Sequence, residues 1–163
     1  GAAGPWQPKR SKKNKVAPQE LIVKLTRANA DKACGVPGKD ICVVLLVDGS
    51  VQQREKTLLE QLRNETATSV RNSRGQSLQL KWAITGAHGR WASLLPRGAT
   101  LPWAVVIKPT RAGLRTAALP VPAGGGKTKR RLSEGIPKLL QEVASGSAKF
   151  QQLKGNVSRL FSQ

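Results

Sequence analysis

Asp40 to Leu62 reads DICVVLLVDGSVQQREKTLLEQL, and this stretch decides the fold. Ile41–Val47 is a continuous apolar run of strand length, the signature of a strand covered on both faces. Asp48-Gly49-Ser50 marks a turn and offers an N-cap to the next element. From there Val51, Leu58, Leu59, Leu62 and Val70 recur at near-helical spacing, which predicts an amphipathic helix. Its outer face carries Arg54, Glu55, Lys56, Glu60, Arg63 and Glu65. A buried strand running straight into such a helix implies an α/β chain.

Upstream of this unit, LIVKLT (Leu21–Thr26) is a short apolar strand, and Arg27 to Cys34 forms a helical turn with Asn29 or Asp31 as cap. Gly35, Pro37 and Gly38 then break the chain. Residues 1–19 are rich in Gly, Pro and Lys without any period, and read as an extended arm anchored by Trp6. Downstream, Asn72 to Gln76 is a turn and LQLKWAI (Leu78–Ile84) alternates as a strand does. Gly86 to Gly98 is irregular or weakly helical. WAVVIK (Trp103–Lys108) and Leu114 to Leu119 are two further strands around a Thr110–Gly113 turn. Pro120 to Arg131 is a Pro/Gly/Lys loop. Leu132, Ile136, Leu139, Leu140 and Val143 then share one helical stripe, with Pro137 expected near its start, where a missing N–H costs little. Phe150, Leu153, Val157, Leu160 and Phe161 form a last amphipathic stretch, read as a surface that docks on a neighbouring protein. The expected organisation is a basic arm over 1–19, one domain over 20–146, and a docking helix or tail over 147–163.

The chain has 163 residues, 39% of them hydrophobic, which suffices for one domain with tails and argues against full disorder. No apolar run reaches the ~18–20 residues a spanning helix needs, so the chain is not expected to be transmembrane. It starts at Gly1, contains no Met and shows no secretory apolar core, which reads as a processed or truncated start. Two cysteines cannot build a disulfide scaffold, nor one histidine a His-based metal site, and no metal or cofactor is expected.

Charge is the strongest compositional signal. Twenty-eight Lys and Arg stand against nine Asp and Glu, giving +19. The arm holds Lys9, Arg10, Lys12, Lys13 and Lys15 with no acid, and between Thr66 and Ser133 there are twelve bases and no Asp or Glu. Such a surface repels itself unless an anionic partner gathers on it. Nucleic acid fits, because each neutralised phosphate releases counterions. A solvated basic surface, an acidic protein or an anionic lipid would also account for the run.

Catalytic constellations are sparse. Gly124-Gly125-Gly126-Lys127-Thr128 resembles the end of a P-loop, but Val121 stands where the first glycine belongs and the tract runs on into Lys129-Arg130-Arg131. A flexible basic loop is the better reading. His88 lies between glycines with no acid or thiol nearby, and only Glu134 and Glu142 follow it, so no Ser-His-acid order arises. Trp82 and Trp103 belong to apolar strands. Trp91 either packs on the sheet or stacks on a base, and packing is favoured. With no tyrosine and two phenylalanines, a platform stacking several bases is not supported.

Leu101-Pro102-Trp103 followed by AVVIK resembles the segment where thioredoxin-like proteins place a structural cis-proline before a central antiparallel strand. The Asp40–Leu62 unit resembles the strand-to-helix heart of the same fold. Cys34 and Cys42 leading into CVVLLV are similar to redox-inactive domains of protein disulfide isomerase and J-protein relatives. The resemblance covers about residues 20–146. It implies a three-layer thioredoxin-like α/β fold with a central mixed sheet, extended by the basic arm and the amphipathic C-terminal segment. Redox-active members carry Cys-x-x-Cys at the helix start, where amide dipoles lower a thiol pKa. Here Asp48-Gly49-Ser50-Val51-Gln52-Gln53 occupies that place. Cys34 and Cys42 either close a small loop, as in the inactive relatives, or are two free thiols.

The resulting expectation is a non-enzymatic structural subunit of a large organellar assembly, most economically a mitochondrial ribosomal protein. Lys9, Arg10, Lys12, Lys13 and Lys15 of the arm and Lys127, Lys129, Arg130 and Arg131 of the loop would contact rRNA, and the C-terminal segment would contact neighbouring protein subunits. No small-molecule substrate is expected. Two alternatives stand beside it: a redox-inactive scaffold or client-binding domain of a disulfide-isomerase-like or J-domain chaperone in the endoplasmic reticulum lumen, and a basic accessory subunit of a respiratory or ATP synthase complex.

Overall fold

The computed structural model describes residues 22–34, 37, 40–66, 69–121 and 128–162. Lys9, Arg10, Lys12, Lys13, Lys15, Lys127, Trp6, Leu21 and the Gly124–Gly126 tract lie outside the described residues. The chain is mixed α/β, built on one seven-stranded mixed sheet. In order, the elements are β1 (Ile22–Lys24), α1 (Ala30–Cys34), β2 (Asp40–Val47), α2 (Gln53–Glu65), β3 (Ser69–Arg71) and β4 (Ser77–Gly86). A 3-10 turn (Gly89–Leu94), β5 (Trp103–Thr110), β6 (Gly113–Ala118), α3 (Thr128–Ser145), β7 (Gln151–Leu153) and a second 3-10 turn (Val157–Phe161) complete the chain.

The strands lie in the order β1-β4-β2-β5-β6-β7, and β3 pairs with β4 beside the path. β2 runs parallel to β4, with Val43 opposite Trp82, and antiparallel to β5, with Val44 opposite Val105. Residues 41 to 47 are all fully buried, as the unbroken apolar run predicts for a strand with neighbours on both edges and cover on both faces. Alternation along β2 sends its side chains to two separate cores. Ile41, Val43, Leu45 and Val47 meet Leu59 and Leu62 of α2 and Leu132, Ile136 and Leu140 of α3. Cys42, Val44 and Leu46 meet Ala30 and Cys34 of α1, Trp91 and Leu94 of the first 3-10 turn, and Val157 and Leu160 of the second. Trp103 is fully buried and its indole N–H donates to the Leu119 carbonyl at 2.7 Å. The Leu101–Pro102 peptide bond is cis.

Three expectations need correction. Val70 does not extend α2 but lies in β3 opposite Leu78, because the helix stops at Glu65, where the Thr66 hydroxyl donates to the Leu62 carbonyl. The Asn72 side chain then accepts from the Arg74 and Gln76 amides and turns the chain back. Pro137 is not near a helix start, since α3 begins at Thr128. Burial of Leu132, Ile136, Leu139, Leu140 and Val143 carries α3 past the proline, which sits on the exposed side. Gly86 to Gly98 is weakly helical as expected, a single 3-10 turn that packs Trp91 into the second core.

The last segment, expected as a docking helix or tail, is not one continuous helix. Gln151–Leu153 pairs with β6 as an edge strand, and Val157–Phe161 winds as a 3-10 turn. Val157 and Leu160 are buried in the chain's own second core and Phe161 packs edge-on against Trp91 at 5.6 Å. Phe150 packs on the first core with the Arg115 guanidinium 5.6 Å from its ring centre, and Leu153 is half-buried. Val157 and Leu160 are thus spent inside the molecule, while Phe150, Leu153 and Phe161 keep part of their surface outside.

Candidate functional site

Among the described residues, polar side chains gather around a depression both beside Pro102 and along the C-terminal segment. The first opens where β2 gives way to α2, a cleft of about 530 Å³ lined by Asp48, Gln52, Arg54, Glu55, Leu58, Leu101 and Pro102. The Glu55 carboxylate accepts the Gln52 amide at 2.8 Å, which caps the first turn of α2. The cleft contains no sulfur and carries both signs of charge. The His88 ring folds over Gly86, where a Cβ would lie 2.8 Å from its Cδ2, and remains exposed.

Cys34 and Cys42 lie on the other side of the sheet. Both are fully buried, their Cα atoms are 5.5 Å apart, and their sulfurs are joined in a disulfide that ties α1 to β2. Of the two readings open from the sequence, the structure has the bridge. Pro37 sits in the loop it closes.

Among the described residues the only ion pair is Arg130–Glu134, an exposed i,i+4 contact of 3.4 Å. Lys129 points outward beside it. Arg131 is half-buried, and its Nε has no hydrogen-bond partner among the described residues. Lys129 and Arg130 are therefore the outward members of the expected loop cluster. Lys108 and Arg115 face each other directly across β5 and β6. Burial first, and the Arg115 charge second, push the Lys108 ammonium below its ordinary pKa.

The second depression lies along the C-terminal segment and joins cations from three parts of the chain. One cleft of about 430 Å³ is lined by Arg111, Asn156 and Arg159 with Pro37, Gly113 and Gly155. An adjoining cleft of about 250 Å³ is lined by Arg90, Lys154, Asn156 and Arg159. Among the described residues no carboxylate lines either one. The sequence reading missed this groove. Lys154 and Arg159 fall in a stretch whose apolar spacing suggested a helix, and a helix would scatter them. The usable signal was Gly155-Asn156, a turn pair inside that stretch.

Trp82, Trp91 and Trp103 are all buried, so none of them offers a face for stacking. No family model matches the chain, and neither a curated protein nor a solved structure matches it.

Proposed function

We propose that this chain is a catalytically silent, thioredoxin-like module that holds RNA by its phosphates, serving as a structural subunit of a large RNA-containing assembly such as a mitochondrial ribosome. The observation that carries the reading is the unpaired charge: among the described residues, Arg130 alone of the lysines and arginines has a carboxylate at ion-pairing distance. Convergent like charges raise the energy of the isolated fold, and a polyanion removes that cost while releasing counterions. The thioredoxin-like part of the proposal draws support from the strand order β1-β4-β2-β5-β6, from helices on both faces, and from Pro102 immediately before β5. The absence of a thiol between Asp48 and Gln53 supports the silent part. With Trp82, Trp91 and Trp103 buried, the domain would grip backbone and leave bases unread.

Titration of labelled RNA over a salt series tests this. Binding is expected to weaken linearly in log–log form, by ~0.7 per phosphate contacted for a single strand. Salt-independent binding, or none at low salt, overturns the proposal. In the same preparation, insulin reduction with dithiothreitol is expected to stay at the background rate.

The disulfide favours a second reading. Such bridges persist in oxidising compartments, which suits a lumenal scaffold or client-binding domain better than a reducing one. The cleft beside Pro102 would then take an extended peptide. Thiol counting on native protein, paired with peptide binding, decides between them: a bridge together with peptide affinity and no RNA affinity would favour the lumenal role.

A further inference from the structure

We infer that the groove formed by Arg90, Arg111, Lys154 and Arg159 is the specific seat of a single-stranded RNA backbone, a deepening that rests on the proposed function. The four cations come from the first 3-10 turn, the β5–β6 turn and the C-terminal segment, and all four are exposed. Leu114, Asn156 and Arg159 line both clefts, so the two adjoin along one track of surface with Arg159 at their junction. A run of separated cations along a track suits a chain of phosphates better than one isolated anion.

The track is constructed rather than accidental. Gly155 has φ +91°, and a Cβ there would overlap Arg159 Cδ, so the glycine both makes the turn and gives the arginine its berth. Gly113 on the opposite wall has φ +136°, and a Cβ there would strike the Leu153 carbonyl. The one carboxylate hydrogen-bonded to the C-terminal segment among the described residues, Asp31, is taken by the Ser158 amide at 3.0 Å. The Ser158 hydroxyl donates to the Asn156 side-chain oxygen at 3.0 Å, which leaves the NH₂ of this cleft-lining residue as a donor with no protein partner among the described residues. A lipid surface is the weaker fit, since interfacial binding needs exposed apolar anchors, and Trp91, Val157 and Leu160 are buried behind the groove.

The test uses the whole chain with fluorescent oligouridine as probe and vesicles rich in anionic phospholipid as the rival. Arg111→Glu with Arg159→Glu is expected to weaken oligouridine binding about twentyfold or more at about 0.1 M salt and to flatten the salt slope by ~1.4. Gly155→Ala keeps every charge yet displaces Arg159, and is expected to weaken binding several-fold. Lys138→Glu with Lys149→Glu makes the same net charge change at exposed positions outside the groove and is expected to cost much less. Arg111 lies in an exposed turn, so Arg111→Glu alone serves if the double variant melts early. Equal losses from both charge-reversed pairs overturn the groove while leaving RNA binding standing. No oligouridine binding by the parent chain at low salt overturns both proposals. Binding to vesicles through the same residues, with oligouridine ignored, overturns the choice of RNA.

Discussion

The cleft beside Pro102 and the groove around Arg159 differ less in size than in what their walls do with charge. Asp48 and Glu55 stand with Arg54 in the first, and Glu55 is already committed to the amide of Gln52. Arg90, Arg111, Lys154 and Arg159 stand together in the second, where no described carboxylate joins them. Mixed charge settles a surface by itself, whereas one sign leaves it in need of a partner. The end of a strand before a helix is where a chemist looks first for a reagent, but here the unsatisfied physics sits at the other depression.

Removing what supports each depression sharpens that contrast. The largest effect is expected from Trp91→Ala, which empties the second core behind the groove. It should cost about 3–5 kcal/mol in denaturant unfolding and abolish groove binding, while the Pro102 cleft retains its shape. Breaking the Cys34–Cys42 bridge by paired serine substitution should cost at most about 2–3 kcal/mol, as expected for so short a loop. Because Pro37 lies in that loop and lines the groove, its RNA affinity should fall as well. If the bridge can be removed with no change at the groove, the two features are independent.

On the other side, Glu55→Ala removes the cap of α2 and should cost about 1 kcal/mol, visible as a lower melting temperature with RNA affinity unchanged. The smallest effect concerns Lys108, whose folded pKa lies below its unfolded value. The folded state therefore binds fewer protons than the unfolded state between those two values, so this group's penalty is fully present below the lower one and fades as pH rises through it. Lys108→Gln should stabilise the chain by about 0.2–1 kcal/mol at neutral pH, by relieving the like-charge pair with Arg115. That gain should shrink at high pH and at high salt.

Much of the scaffold was legible because it derives from local period. The run at 41 to 47, the alternation at Leu78–Ile84 and the stripe from Leu132 to Val143 each became the element expected, apart from its ends. The C-terminal segment was misread because apolar residues at helix-like intervals look alike in a helix and in a strand followed by a tight turn. Only the free edge of β6 selects the strand, and that edge is a property of the assembled sheet. The groove was hidden for the same reason. Arg90 and Arg159 are distant in sequence, and what brings them together is the packing of one 3-10 turn on the other through Trp91 and Phe161.

The closing of β6 by Gln151–Leu153 has one further consequence. A ribosome makes the chain from its N-terminus, so the last strand emerges after everything it covers. Until it does, the outer amides and carbonyls of β6 are open to pairing with another nascent copy, and half of the second core lacks Val157 and Leu160. A prematurely terminated translation product ending near Phe150 should therefore self-associate, whereas a dozen more residues supply their own remedy.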